Sequence, residues 1–148
     1  MPEGDLKFSA AEINLVLHAT EEVSKVLQPI QDVLSVASER FSISTSEGHY
    51  KNKIFYLRVM LSSQEANVLA LRIMSLFNSS DKEHLARSLP DYSDEKGNLY
   101  LRLHKQTLCR GKVSLSEIDA IRIRFKPSRR YRPSGNLEGY RGLLSSTE

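Results

Sequence analysis

The sequence predicts an α+β protein: a mostly antiparallel sheet with two main helices and one short helix packed on one face, in the order β-α-β-β-α-(α)-β-(β)-β. Three observations predict it. In residues 97–106, GNLYLRLHKQ, Leu99, Leu101 and Leu103 alternate with Tyr100, Arg102 and His104, the two-residue period of a strand with one face buried and one wet. The period returns where Ile121, Ile123 and Phe125 alternate with Arg122, Arg124 and Lys126. Two long segments, 23–37 and 63–77, instead repeat their apolar residues every three or four positions, as helices lying on a sheet do.

The elements follow in order. Residues 1–11 hold Pro2, Gly4 and no period, so they are expected to fray. In EINLVLHAT, residues 12–20, Ile13, Leu15, Leu17 and Ala19 share one side, which makes the first strand. Thr20 then suits a helix N-cap, with Glu21 and Glu22 in the first turn, where the helix dipole favours negative charge. Val23, Val26, Leu27, Ile30, Val33, Leu34 and Ala37 form the helical stripe. Pro29 interrupts it and predicts a kink or break, since proline inside a helix costs about 3 kcal/mol.

Phe41, Ile43 and Thr45 alternate with serines as a second strand, and Phe55, Leu57, Val59 and Leu61 with Tyr56, Arg58 and Met60 as a third. EGHYKNK, residues 47–53, joins them as a hairpin with a long basic tip, in which Gly48 and Asn52 suit the turn. Ser62 with Glu65 makes a capping box for a helix through Phe77, stopped by Asn78. Its stripe is Ala66, Leu69, Ala70, Ile73 and Phe77, but Val68, Leu71, Met74 and Leu76 make it apolar nearly all round, so it should be covered on more than one side.

Ser80 and Glu83 form a second capping box, opening a short helix over 80–89 that Pro90 stops. Residues 106–115 suit a further short strand with a turn at Arg110, Gly111 and Lys112. From Arg129 the composition shifts to Arg, Ser, Gly, Pro and Tyr. That divides the chain into one α+β domain, residues 1–128, and a basic tail, 129–148. The competing reading of the tail is a helical turn carrying Leu137, Tyr140 and Leu144 that docks on the domain or on a partner.

The 148 residues, 40% hydrophobic and 26% charged, are the composition of a soluble globular protein. One cysteine, Cys109, excludes an intramolecular disulfide, which fits a reducing cytoplasm. The N-terminal MPEGDLKF lacks a basic and apolar leader, and no run nears the ~18 apolar residues that span a bilayer. A cytoplasmic protein without membrane attachment is expected.

The net charge of +3 hides an asymmetry: residues 1–95 hold 9 Lys/Arg against 14 Asp/Glu, whereas residues 96–141 hold 12 against 3. Such a distribution suggests a polyanion-facing side, the alternative being a merely solvated charged surface. No two of His18, His49, His84 and His104 stand at a helical step, and Cys109 has no motif around it, so neither a metal nor a nucleophile is indicated. Without a phosphate-binding glycine loop or a nucleophile elbow, the expectation is no enzyme and no cofactor.

Binding is better supported. Gly48, His49, Tyr50, Lys51, Asn52 and Lys53 place amides, donors, cations and a ring in one loop, which suits a phosphate backbone and a stacked base, or simply a solvated turn. Lys105 and Gln106, Tyr100 and Arg102, Arg122, Arg124 and Lys126, and Arg129, Arg130 and Arg132 of the tail complete the candidate contacts to a nucleic acid.

These stretches also carry a resemblance. HATEE at 18–22, EGHYKNKI at 47–54, GNLYLRLHKQ at 97–106 and IRIRFK at 121–126 resemble an archaeal family of predicted RNA-binding proteins linked to the exosome. The resemblance spans about residues 12–126. It implies a fold like that of ribosomal proteins or double-stranded-RNA-binding domains, no catalysis, and a role in RNA contact at Gly48, His49, Asn52, Asn98, Arg102, Lys105 and Gln106. His104 and Lys51 depart from the family pattern of an acidic residue and a glycine, which makes this chain more basic at both places. The expected partner is therefore RNA, with exosome or ribosome components as further candidates. The rival expectation is a protein-interaction module, a homodimer or partner dock built on the 63–77 helix, whose basic sheet face is only solvated.

Overall fold

Alternation and helical stripes become nine main elements in the computed structural model, which describes residues 8–47, 52–128 and 140–142. In chain order they are β1 (Phe8–His18), α1 (Val23–Leu34), β2 (Ser42–Glu47), β3 (Lys53–Leu61), α2 (Ser63–Leu76), α3 (Ser79–Arg87), β4 (Leu99–His104), α4 (Lys105–Cys109) and β5 (Ala120–Pro127). Short 3₁₀ turns occupy Ser38–Arg40 and Leu89–Tyr92. The strands form one antiparallel sheet in the order β2-β3-β1-β5-β4, so the expected α+β class is what the chain adopts. Two compact units can be told apart: Met1–Ala11, Leu61–Leu101 and Arg124–Glu148 make the first, and Glu12–Met60 with Arg102–Ile123 the second.

In the first unit residues 8–11, where fraying was expected, belong to β1. The Phe8 N–H donates to Asn67 Oδ1 at 2.8 Å, and its carbonyl accepts from Asn67 Nδ2 and Ser63 Oγ. Its ring lies 4.9 Å from that of Phe125 and is fully buried. Phe8 falls out of phase with the buried Ala11, Ile13 and Leu15, so a period search starting at Ile13 misses it.

The capping box of α2 forms as read: Ser62 Oγ accepts from the Glu65 N–H at 3.4 Å and Glu65 Oε1 from the Ser62 N–H at 3.0 Å. Ser62→Ala should therefore cost about 1 kcal/mol and lower the melting temperature by about 2–4 °C, measurable by calorimetry. Helix α2 ends at Leu76, with Phe77 as its C-cap. Asn78 is the N-cap of α3, accepting from the Asp81 N–H at 2.8 Å, and takes the role expected of Ser80. Asn78, Ser79 and Ser80 can all cap, and the end of α2 decides which one does. The second cover expected for α2 reaches Met74, which is buried, while Val68 and Leu71 stay 59% and 48% exposed.

The expected structureless tail needs correction at residues 140–142, which are helical. The Tyr140 ring is fully buried and stacks on Phe8 with centroids 6.1 Å apart, and its hydroxyl donates to the Gly97 carbonyl. The docking alternative is the one realised at this residue.

In the second unit, Thr20 is exposed and caps nothing; Glu22 is the N-cap of α1 and offers no side-chain bond. Pro29 does not end α1, which runs on to Leu34. Lacking an N–H, Pro29 leaves the Lys25 carbonyl without its usual donor, and the Cys109 thiol approaches that oxygen at 3.9 Å. Ser35, with φ of 60°, closes the helix before Ala37.

Strand β2 is exposed along its whole length, against the expectation of a buried side. It is one of the sheet's two edge strands and, among the described residues, pairs with β3 in the register Ser42↔Arg58 to Glu47↔Lys53. Ile43, opposite the buried Leu57, remains 48% exposed. Where a strand was expected at 106–115, α4 forms instead: His104 Nδ1 accepts from the Thr107 N–H at 3.2 Å and turns the chain out of β4. The turn at Gly111, with φ of 87°, is as expected, and a single bridge, Leu103↔Leu115, is what remains of pairing there.

Candidate nucleic-acid interface

Strand β5 buries Ile121, Ile123 and Phe125 and exposes Arg122, Arg124 and Lys126, the split that its period predicts. Strand β4 likewise buries its leucines and exposes Tyr100 and Arg102.

In the first unit the wet side is built around Asp94. Its Oδ1 accepts from the Lys96 and Asn98 N–H groups, both at 2.9 Å. Its Oδ2 accepts from Asn98 Nδ2 at 3.0 Å and from the Tyr100 hydroxyl at 2.9 Å. Burial raises the Asp94 carboxyl, but these bonds from Asn98, Tyr100 and Lys96 outweigh it and hold the group below its ordinary value. For Tyr100, burial and then the Asp94 carboxylate push the phenol up, opposed by a hydrogen bond with Arg124. Tyr100 and Arg124 are both exposed, on the neighbouring strands β4 and β5. Asn98, a contact residue by family resemblance, spends its side chain on this turn.

In the second unit the cations are partly matched. Arg58 Nη2 lies 2.8 Å from Glu12 Oε2, and Arg102 Nη1 lies 3.5 Å from Glu117 Oε2. The Arg102–Glu117 pair, with both side chains exposed, contributes little, and a phosphate can replace its carboxylate. Arg122 makes no ion pair among the described residues. Arg58 and Tyr56 were missed as site residues, although the same two-residue period that exposes Arg102 exposes them on β3.

Lys105 is corrected outright. It is 1% exposed, and its ammonium lies 2.8 Å from Glu21 Oε2 and 2.6 Å from Asp119 Oδ1, with the Val16 carbonyl at 3.4 Å. Burial lowers its pKa, but the bonds to Asp119 and Glu21 prevail and raise it, so it stays charged and cannot reach RNA. Its neighbour Gln106 is exposed on α4. At the hairpin, Asn52 and Lys53 are exposed, with Lys53 opposite Glu47; Gly48, His49 and Lys51 lie outside the described residues, as do Arg129, Arg130 and Arg132 of the tail. No helix among the described residues is long and apolar enough to cross a membrane, and no three of their His, Cys, Asp or Glu side chains group as metal ligands.

A sheet whose wet strands carry arginines, a lysine and tyrosines defines a candidate polyanion-binding protein of the α+β class. The family model described as RNA binding matches residues 10–127, and the chain belongs to that RNA-binding family. Among solved structures it is similar to a DUF54 protein of Archaeglobus fulgidus, with 26% identity and a TM-score of 0.75 over 93% of this chain and 98% of that one. A DUF54 protein of Sulfolobus solfataricus matches with 25% identity and a TM-score of 0.76 over the same shares, 93% and 98%. A UPF0201 protein of Methanococcus jannaschii shares the fold alone, at 13% identity and a TM-score of 0.58 over 91% of this chain and 98% of that one. No curated protein matches the chain.

Proposed function

We propose that this is a non-catalytic RNA-binding accessory protein that holds the phosphate backbone on its wet strands and guides RNA without cutting it. The observation that carries the reading is the outward row Arg122, Arg124 and Lys126 on β5, set against buried Ile121, Ile123 and Phe125 in a chain of the RNA-binding family. Family resemblance adds the setting, RNA processing at the exosome or ribosome, and the single cysteine fits a reducing cytoplasm. The basic tail and the hairpin tip supply further cations for RNA.

Arg122→Gln and Arg124→Gln each remove one cation from an exposed strand position and no buried side chain. Each should flatten the log-affinity against log-salt slope by about 0.7 for single-stranded RNA. Wild-type protein that binds no RNA even at low salt would end this reading. The rival, a homodimer or partner dock, has the exposed Val68 and Leu71 of α2 on its side. Sedimentation of a monomer that binds RNA leaves it without support.

A further inference from the structure

We propose that Tyr100 is a stacking platform for an unpaired base, with Arg124 beside it for the adjoining phosphate, so that the protein's ligand is single-stranded RNA or the unpaired part of a folded one. This deepens the RNA-binding reading and rests on it.

Tyr100 stands on β4 with 39% of its surface exposed, so it is within reach of a ligand in solvent. An exposed ring on a strand is ordinarily free to swing. This one is not, because its hydroxyl is bound to Asp94 at 2.9 Å, and Asp94 is itself held by Lys96 and Asn98. The four donors on Asp94 occupy about all the acceptor sites that a carboxylate has. Asp94 therefore has no acceptor left for a base and serves to hold the phenol. A ring fixed before the ligand arrives loses little entropy when a base stacks on it. Arg124, exposed on the neighbouring strand β5, supplies the cation that an adjoining phosphate needs. Stacking reads a π-face and not an edge, so the platform tolerates any base but requires one that is out of a duplex.

The chain has no tryptophan, so Tyr100→Trp introduces a unique fluorophore at the platform. Oligoadenylate of about ten nucleotides, within the usual span of a single-strand site, should quench it, and an RNA duplex of the same length should not. Tyr100→Ala should weaken oligoadenylate binding about 5- to 150-fold, with Tyr100→Phe closer to wild type, and leave both the duplex affinity and the salt slope unchanged. An unquenched Trp, or a Tyr100→Ala protein that binds oligoadenylate as wild type does or loses duplex and single strand alike, overturns the platform while wild-type RNA binding still stands. Wild-type protein that binds neither RNA overturns both the platform and the reading beneath it.

Discussion

Tyr140→Ala should destabilise the protein by about 3–5 kcal/mol, the usual cost of deleting a buried aromatic side chain. For a chain of this size that lowers the melting temperature by about 6–20 °C. Tyr140 is fully buried, its ring stacks on Phe8, and Phe8 in turn packs on Phe125, so alanine would open a void beside the Phe8 ring. Tyr140→Phe keeps the ring and removes only the hydroxyl donated to Gly97, so its cost should be about 1–3 kcal/mol. Truncation after Ser128 should cost at least as much as Tyr140→Ala. From composition alone that truncation removes no core side chain, and thermal melts of the two variants decide between the views. An unchanged melting temperature in both would show that residue 140 contributes nothing to the fold.

Lys105→Met should cost about 2–3 kcal/mol, and with it about 4–12 °C of melting temperature. Breaking a buried ion pair costs about 3–5 kcal/mol when the remaining charge is sealed off. Here Glu21 is 20% and Asp119 43% exposed, so water can recover part of what the ammonium supplied and the lower figure applies. The sign with pH follows from the raised pKa of Lys105. Its contribution is whole below the ordinary lysine value and is lost as pH rises through the higher folded value. The variant should therefore lack the alkaline loss of stability that Lys105 gives the wild type. RNA affinity of the folded Lys105→Met protein should equal that of wild type. A weakened RNA complex with an unchanged melting curve would restore Lys105 as a contact residue and refute the buried-pair account.

What the sequence by itself determined is what depends on neighbours along the chain. The alternation in Leu99–His104 and Ala120–Pro127 fixes which side of each strand is wet, because successive side chains on a strand must point to opposite faces. The Ser62–Glu65 box marks the start of α2 because both partners lie within one turn. Pattern alone thus placed Arg122, Arg124, Lys126, Tyr100 and Arg102 on wet sides.

The tertiary structure decided what depends on partners far away in the chain. Lys105 and Gln106 are consecutive, polar and equally plausible as contacts, yet only Lys105 finds a carboxylate 84 residues earlier and sinks with it. Phe8 and Tyr140 sit in segments whose composition reads as unstructured, and they are ordered because each meets the other's ring. Asn98 looks like a free amide until Asp94 claims it. In each case burial is set by a partner whose distance in sequence carries no local signal, since the free energy of removing a polar or aromatic group from water depends on what receives it.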